Sequence, residues 1–124
     1  MTSPVKILAV DDETLNGELL NRVFRGHDEY QLTTCTSAAD GMARIAQDGV
    51  DVVLLDQSMP DVTGTQFVKQ VLATGRKPIF VMVTAYPEMK EVIELWNEGL
   101  VRFVVPKPWR AAQLLATIER ALSR

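Results

Sequence analysis

The first apolar run of the chain is VKILAVDD at residues 5–12, and this stretch decides the fold. The run is apolar at almost every position and ends abruptly at two carboxylates. A short run that is apolar on both faces is typical of a strand buried within a parallel sheet, whereas a half-exposed strand alternates between apolar and polar residues. The stretch therefore predicts a buried parallel strand over Val5–Val10, with Asp11 and Asp12 at its carboxyl end.

Four further segments predict strands. Three of them are apolar runs at Val52–Leu55, Ile79–Val83 and Phe103–Val105. The fourth, Leu32–Cys35, is more polar and fits the edge of a sheet. Cys35 is the single cysteine of the chain, so a disulfide within the chain is excluded, and the residue is expected to be a small apolar side chain in its strand.

Between these runs, apolar residues recur at helical spacing and predict five helices. The five stripes are Leu15, Leu19 and Val23 with Leu20 and Phe24; Met42, Ile45 and Ala46; Phe67, Val68, Val71 and Leu72; Met89, Val92, Ile93 and Trp96; and Leu114, Leu115, Ile118 and Leu122. Ser37 is placed to cap the second helix. The fourth stripe places Trp96 in the core and leaves Leu95 available to extend an exposed surface.

Five strands that alternate with five helices predict an α/β fold, a doubly wound (βα)5 unit with a parallel five-stranded sheet. The 124 residues suit a single domain spanning 1–124, without an output domain. A net charge of −3 argues against direct binding of nucleic acid or an anionic membrane. No apolar run approaches the roughly 20 residues of a membrane span, and no signal peptide opens the chain, so we expect a cytoplasmic protein.

Polar side chains follow four of the predicted strands. Asp11 and Asp12 follow the first, Asp56 the third, Thr84 the fourth and Lys107 the fifth. Ligands of open α/β sheets bind beyond the carboxyl ends of the strands, so these groups are expected to converge at one edge. Each has an ordinary structural explanation, such as a turn or a helix cap. For all of these residues together, that explanation is weaker, because clustered carboxylates repel one another and need a counter-charge.

A hard divalent cation would supply this counter-charge. Mg²⁺ prefers oxygen ligands and commonly combines one or two carboxylates with phosphate oxygens. Asp12 and Asp56 are the expected direct ligands, with Asp11 acting directly or through water and the Ser58 carbonyl as a further candidate. A carboxylate can also act as the nucleophile that forms an acyl phosphate. The sequence therefore predicts a phospho-acceptor site.

The same motifs resemble the receiver domain of two-component response regulators, the chemotaxis-regulator-like fold. The resemblance covers essentially the whole chain and rests on Asp11-Asp12, on Asp56-x-x-Met59-Pro60-x-x-x-Gly64, on Thr84-Ala85 and on Lys107-Pro108. It implies the flavodoxin-like strand order 2-1-3-4-5 and a cis Lys107–Pro108 bond. It also implies that Mg²⁺-dependent transfer from a histidine kinase or phosphotransfer protein phosphorylates Asp56.

Further roles follow from the resemblance. Lys107 would contact the phosphoryl group, and Thr84 with the aromatic Phe103 would form the switch that alters the surface of the fourth helix, fifth strand and fifth helix. Output would pass to a downstream protein partner or a fused effector domain. The domain would promote its own phosphorylation and dephosphorylation without being a turnover enzyme on an external substrate.

One departure from the family pattern concerns the fifth strand. Receivers usually place the lysine three positions after the switch aromatic, whereas Lys107 follows Phe103 by four. Either Pro106 is an extra residue that bulges the strand end, or the register shifts and Val104 takes the place of the aromatic. We expect the bulge, because a proline that donates no ladder hydrogen bond suits one.

Three other functions are possible for such a fold. A pseudo-receiver that is never phosphorylated is the main alternative, although such modules typically lose a key residue and none is missing here. An aspartyl-phosphate hydrolase would carry Asp-x-Asp after the first strand. A flavin-binding flavodoxin would carry a phosphate loop rich in Ser, Thr and Gly, in contrast to the acidic residues at 11–13.

Overall fold

The computed structural model describes residues 3–123, and across them the chain forms five strands and five helices in strict alternation. Residues 1, 2 and 124 of the predicted domain lie outside this range. The strands are β1 (Val5–Val10), β2 (Tyr30–Cys35), β3 (Val52–Leu55), β4 (Ile79–Thr84) and β5 (Phe103–Pro106). The helices are α1 (Thr14–Phe24), α2 (Ala38–Asp48), α3 (Gly64–Ala73), α4 (Lys90–Asn97) and α5 (Ala111–Leu122).

The sheet confirms the predicted fold class. All four strand pairs are parallel, and the order is β2-β1-β3-β4-β5. The polar strand β2 lies at one edge, as expected, and β5 lies at the other. No helix within residues 3–123 is long and apolar enough to cross a membrane.

Two apolar clusters cover the two faces of the sheet. Alternate strand residues such as Leu8 and Leu55 pack against α2, α3 and α4, whereas their neighbours Ile7 and Leu54 pack against α1 and α5. This division follows from the strand period of two, which points successive side chains to opposite faces. Both faces are covered, which explains why the central strands are continuous apolar runs.

The start of α2 confirms the predicted cap at Ser37. The Ser37 hydroxyl accepts a hydrogen bond of 3.1 Å from the Asp40 backbone N–H at the start of α2. Gly49 ends the same helix with a φ of 69°, a left-handed conformation that favours glycine.

The predicted buried faces of α1 and α4 are only partly correct, since Leu20, Phe24 and Val92 are buried as predicted and other members of both stripes are exposed. In α1, Leu20 and Phe24 are buried, whereas Leu15 is 62% exposed. In α4, Leu95 is 1% exposed and Trp96 is 49% exposed, the reverse of the prediction. Both helices carry more apolar residues than one stripe needs, and consecutive residues lie about 100° apart around a helix. Packing on the sheet therefore decides which of two neighbouring apolar residues is buried.

The predicted bulge in β5 is also wrong. Phe103, Val104 and Val105 pair in regular register with Val81, Met82 and Val83, and Pro106 lies opposite Thr84. Pro106 is tolerated because it stands at the end of an edge strand, where its missing N–H breaks no ladder. The register alternative therefore applies: Val104, three residues before Lys107, takes the place that the switch aromatic has in the family pattern.

We expect Cys35 to be unreactive in the folded protein. Burial at the carboxyl end of β2 raises the pKa of its thiol to about 11, with the nearby Asp40 carboxylate adding to the rise. At pH 8 the reactive thiolate is therefore scarce. Iodoacetamide should leave the native protein unmodified, as checked by intact mass, and should alkylate it in urea. Rapid alkylation of the native protein would contradict this burial.

Candidate functional site

Four strand ends bring the predicted polar residues to one edge of the sheet. Asp11 follows β1, Asp56 follows β3, Thr84 is the last residue of β4, and Lys107 follows β5. Parallel strands share a direction, so all four carboxyl ends meet on the same side. Residues nearly 100 positions apart in the sequence thereby become neighbours.

Three carboxylates form the centre of the site. One oxygen from each of Asp11, Asp12 and Asp56 can be chosen so that all three lie within 4.8 Å of one another. Asp56 is buried at 7% exposure, Asp11 is partly buried and Asp12 is exposed. The cluster is thus an acidic site whose most buried carboxylate directly follows β3.

Lys107 reaches into this cluster from β5. Its ammonium Nζ lies 2.7 Å from Asp11 Oδ2 and 3.4 Å from Asp56 Oδ2. The single positive charge of Lys107 therefore pairs with two of the three carboxylates, and the net charge of the site remains negative. The Lys107–Pro108 peptide bond is cis, as the family resemblance implies.

Burial and charge shift two pKa values in the site. Burial raises the pKa of the Asp56 carboxyl, and the charge of Asp11 raises it further, although Lys107 opposes both effects. Burial lowers the pKa of Lys107, but its hydrogen bond and charge interactions with Asp11 and Asp56 outweigh burial, so the net pKa is raised. Lys107 is therefore a permanent cation, whereas burial destabilises the ionised form of Asp56.

Two hydrogen bonds fix the orientation of Asp11. Its Oδ1 accepts from the Glu13 backbone N–H at 3.0 Å, and its Oδ2 accepts from the Asn16 side-chain amide at 3.0 Å. The contribution of Asn16 was not predicted from the sequence, because a polar residue in the first turn of a helix carries no distinguishing signal.

Thr84 lies beside the site at full burial. Its hydroxyl accepts a hydrogen bond of 3.1 Å from the Tyr86 backbone N–H, and its carbonyl accepts one of 2.9 Å from the Lys107 backbone N–H. Thr84 and Lys107 are therefore linked directly through the backbone of β4 and β5.

Of the remaining predicted residues, Ser58 adjoins the carboxylate cluster, whereas Phe103 and Val104 lie on β5. Ser58 is exposed, and its backbone amide opposes the rise in the pKa of the Asp56 carboxyl. Phe103 packs with the α1 and α5 side of the sheet, where the Arg120 guanidinium carbon lies 5.4 Å from the centre of its ring. Val104 packs on the opposite face, toward α4.

Two further residues shape the loop after Asp56: Gly64, which belongs to the motif that carries the family resemblance, and Gln57, which no sequence pattern marked. Gln57 is 1% exposed although its side chain is polar. Gly64 begins α3 so close to this loop that an added Cβ would lie 2.6 Å from the Asp56 carbonyl oxygen. A polar residue in a loop ordinarily predicts exposure, so no sequence signal distinguishes Gln57.

The donor set fits a hard divalent cation. Three converging carboxylates offer the oxygen ligands that Mg²⁺ prefers, and Lys107 neutralises part of the charge without occupying the exposed side of Asp12. An anion that approached the bare cluster would be repelled. The arrangement therefore suits a cation and a phosphoryl group bound together.

Comparison with known proteins identifies the family. The family model described as "Response regulator receiver domain" matches residues 7–119. The hydrogenase transcriptional regulatory protein HoxA of Cupriavidus necator is 30% identical over 116 residues, covering 94% of this chain and 24% of that protein. The response regulator MprA of Mycolicibacterium vanbaalenii is 30% identical over 121 residues, covering 98% of this chain and 52% of that protein.

A solved structure agrees with the family match. The CheY-like response regulator receiver domain protein from Methanospirillum hungatei JF-1 superposes with a TM-score of 0.86 at 26% identity, covering 98% of this chain and 95% of that one. The chain spans a quarter to about half of the length of the curated relatives named above. On the family match, the sheet order and the relatives together, the chain belongs to the receiver domains of two-component response regulators.

Proposed function

We propose that Asp56 is the phospho-acceptor of this receiver domain. The observation that carries the proposal is the buried Asp56 carboxylate, which lies in contact with the Lys107 ammonium and within reach of two further carboxylates. Asp11 is already engaged by Lys107, Glu13 and Asn16, so it is a poor nucleophile. Asp12 is exposed, so no desolvation favours its carboxylate as the nucleophile.

The proposed reaction forms an acyl phosphate. An Asp56 carboxylate oxygen attacks the phosphorus of the donor, the new O–P bond forms, and the bond from phosphorus to the donor breaks with its electron pair leaving on the donor atom. With a histidine donor, the imidazole nitrogen departs and takes a proton from water. Lys107 and the Thr84 hydroxyl would each face one of the phosphoryl oxygens.

Asp11, Asp12, Asp56 and the Ser58 carbonyl are the residues that we propose hold Mg²⁺. When bound, the cation supplies the positive charge that lets a phosphoryl group approach three carboxylates. The protein contributes the fixed geometry, since Asp11 is oriented by its own hydrogen bonds and Asp56 by its strand.

Thr84 is the proposed switch hydroxyl. Its link to Lys107 through the β4–β5 backbone would let a displacement of Thr84 reach the fifth strand. Phe103 is the proposed aromatic partner, but it would act on the α5 side, where its ring contacts Arg120 and lies 6.4 Å from the ring of Trp96. Movement of Phe103 would therefore reposition the surface of α4 and α5 without entering the phosphorylation site.

The partners that we propose follow from this chemistry. A histidine kinase or phosphotransfer protein would be the donor, and a downstream protein or a fused effector domain would receive the output. The residues 1–124 would act as one receiver domain in the cytoplasm, promoting only their own phosphorylation and dephosphorylation. The names of the relatives, a transcriptional regulatory protein and a response regulator, support a regulatory role.

Incubation with Mg²⁺ and acetyl phosphate tests the proposed function. Intact mass should show one added phosphoryl group, and chelation of Mg²⁺ before the reaction should prevent it. The absence of any adduct would favour the pseudo-receiver. Multiple turnover on unrelated phosphomonoesters, without a stable adduct, would favour a hydrolase instead.

Asp12→Asn is expected to weaken Mg²⁺ binding at least about tenfold, since even outer-shell partners of a metal often contribute that much. Titration calorimetry with MgCl₂ measures the change. Glu13→Gln is the matched control, because it removes a neighbouring charge that lies outside the carboxylate cluster. Equal loss of affinity in both variants would mean that general negative charge, rather than a defined site, attracts the ion.

A further inference from the structure

The side chain of Gln57 is buried directly beside the proposed phospho-acceptor, and all of its contacts are specific. Its Oε1 accepts hydrogen bonds from the Thr65 backbone N–H at 2.9 Å and from the Thr65 hydroxyl at 3.0 Å. Its Nε2 donates to Met89 Sδ at 3.7 Å. A buried amide without such partners would be costly, so these contacts fix the side chain in one orientation.

These contacts join three parts of the molecule. Gln57 is bonded covalently to Asp56, and its backbone carbonyl accepts a 2.9 Å hydrogen bond from the Gly64 N–H at the start of α3. Met89 is the N-cap residue of α4, and its carbonyl accepts the N–H groups of Val92 and Ile93. Gln57 thus connects the phosphorylation loop to the first turn of α4.

The two ends of this connection differ in strength. Toward α3, Gln57 makes three hydrogen bonds to nitrogen and oxygen partners. Toward α4, it makes one bond to a thioether sulfur, which is a weak acceptor. A small displacement of the loop would therefore release Met89 and leave the contact with α3 in place.

The face of β5 that packs against α4 is aliphatic. Val104 is the β5 side chain that packs with the α4 cluster, and it has no polar atom that could respond to a change of charge at Asp56. The contact of Gln57 with Met89 is a polar link that reaches α4 from a residue adjoining Asp56. It is present in the unphosphorylated chain, so it stabilises that state relative to any state in which it is broken.

We propose that Gln57 is a positioning residue whose amide latches the start of α4 to the unphosphorylated loop. The inference rests on the proposed function of Asp56. A phosphoryl group on Asp56 shifts the adjoining backbone, the bond to Met89 breaks, and α4 moves relative to β5. Because coupling is reciprocal, a weaker latch favours phosphorylation and a stronger latch opposes it.

Trp96 provides the readout of α4, since it is half exposed and its ring lies 6.4 Å from that of Phe103 on β5. In a Trp109→Phe background, Trp96 is the single tryptophan of the chain. Wild-type phosphorylation by acetyl phosphate should change its fluorescence. Met89→Leu, which removes the sulfur acceptor at similar volume, should shift the unphosphorylated signal toward the phosphorylated value.

Intact mass gives the second readout, the rate of phosphorylation. Met89→Leu should raise the rate about twofold to fivefold, within the range expected for one modest hydrogen bond. Met89→Gln, which offers Gln57 an oxygen acceptor, should lower it. Thr65→Val is the matched control: it removes one bond on the α3 side, leaves the backbone N–H bond to Gln57 in place, and should change neither readout.

The opposite signs of the two Met89 variants separate a latch from general damage, which would move both in the same direction. The latch is contradicted if Met89→Leu matches the wild type, if both variants shift alike, or if wild-type phosphorylation leaves Trp96 unchanged. If the wild type takes up no phosphoryl group, the proposed function itself fails.

Discussion

Asp56→Asn should abolish phosphoryl uptake completely while leaving the fold intact. The amide keeps the size of the carboxylate but has no nucleophilic anionic oxygen. In the cluster, Asp56 is the buried carboxylate beside Lys107, whereas Asp11 is held by hydrogen bonds and Asp12 is exposed. Intact mass after incubation with Mg²⁺ and acetyl phosphate measures the result. Asp61→Asn, in the same loop but exposed, is the control and should be phosphorylated normally.

The stability of Asp56→Asn provides a check on the folding of the variant. The pKa of Asp56 is raised in the folded chain, so its ionised form destabilises the fold above that pKa, and the penalty disappears as acid protonates the carboxyl. Without Mg²⁺, the variant should therefore withstand more urea than the wild type at neutral pH. The difference should shrink as the pH falls into the carboxylate range. If Asp56→Asn still gained a phosphoryl group, the phospho-acceptor would have to be a residue other than Asp56.

Gly64→Ala is expected to destabilise the fold by about 3 kcal/mol, at the upper end of what overpacking usually costs. The new Cβ would lie 2.6 Å from the Asp56 carbonyl oxygen and 3.0 Å from the Gln57 Cα. Both are backbone atoms, so no side chain can rotate to make room. Urea unfolding measures the loss of free energy, and phosphorylation should slow as well, because the strained loop carries Asp56.

Gly17→Ala is the matched control for this prediction. It makes the same change within α1, where the new Cβ would meet the Thr34 side chain at 3.4 Å, an ordinary contact. Alanine is the better helix former by up to about 1 kcal/mol, so this variant should be as stable as the wild type or slightly more stable. Similar losses in the two variants would argue against the close approach at Gly64.

The sheet was predictable from the sequence because its central strands are buried on both faces. The bounds of β1 and β3 match the predicted runs, since both strands are buried on both faces apart from the exposed Lys6 near the start of β1. The edge strand β2 begins at Tyr30, two residues before the predicted start, because its polar residues conceal the beginning of the pairing. The carboxyl-end motifs then followed from topology.

Orientation within elements was less predictable. Trp96 and Leu95 are adjacent and both apolar, and only the contact of α4 with the sheet decides that Leu95 is buried. The position of Phe103 depends on a register that the proline at 106 left ambiguous in the sequence. Gln57 acquires its importance from Met89, 32 positions away, and no local pattern encodes that contact.

The strand order also has a consequence for how the chain is made. After β1 and β2 have paired, each later strand joins the same growing edge in the order in which the ribosome delivers it. Lys107 follows the last strand, β5, so Asp11 and Asp56 are synthesised before the Lys107 ammonium with which both of them pair. At roughly 5–20 residues per second, the nascent chain spends several seconds with this acidic edge uncompensated. Partial compensation of these carboxylates by Lys107 is thus a late step in the assembly of the sheet, and a chain that stops short of residue 107 would hold a sheet with carboxylates that repel one another at its edge.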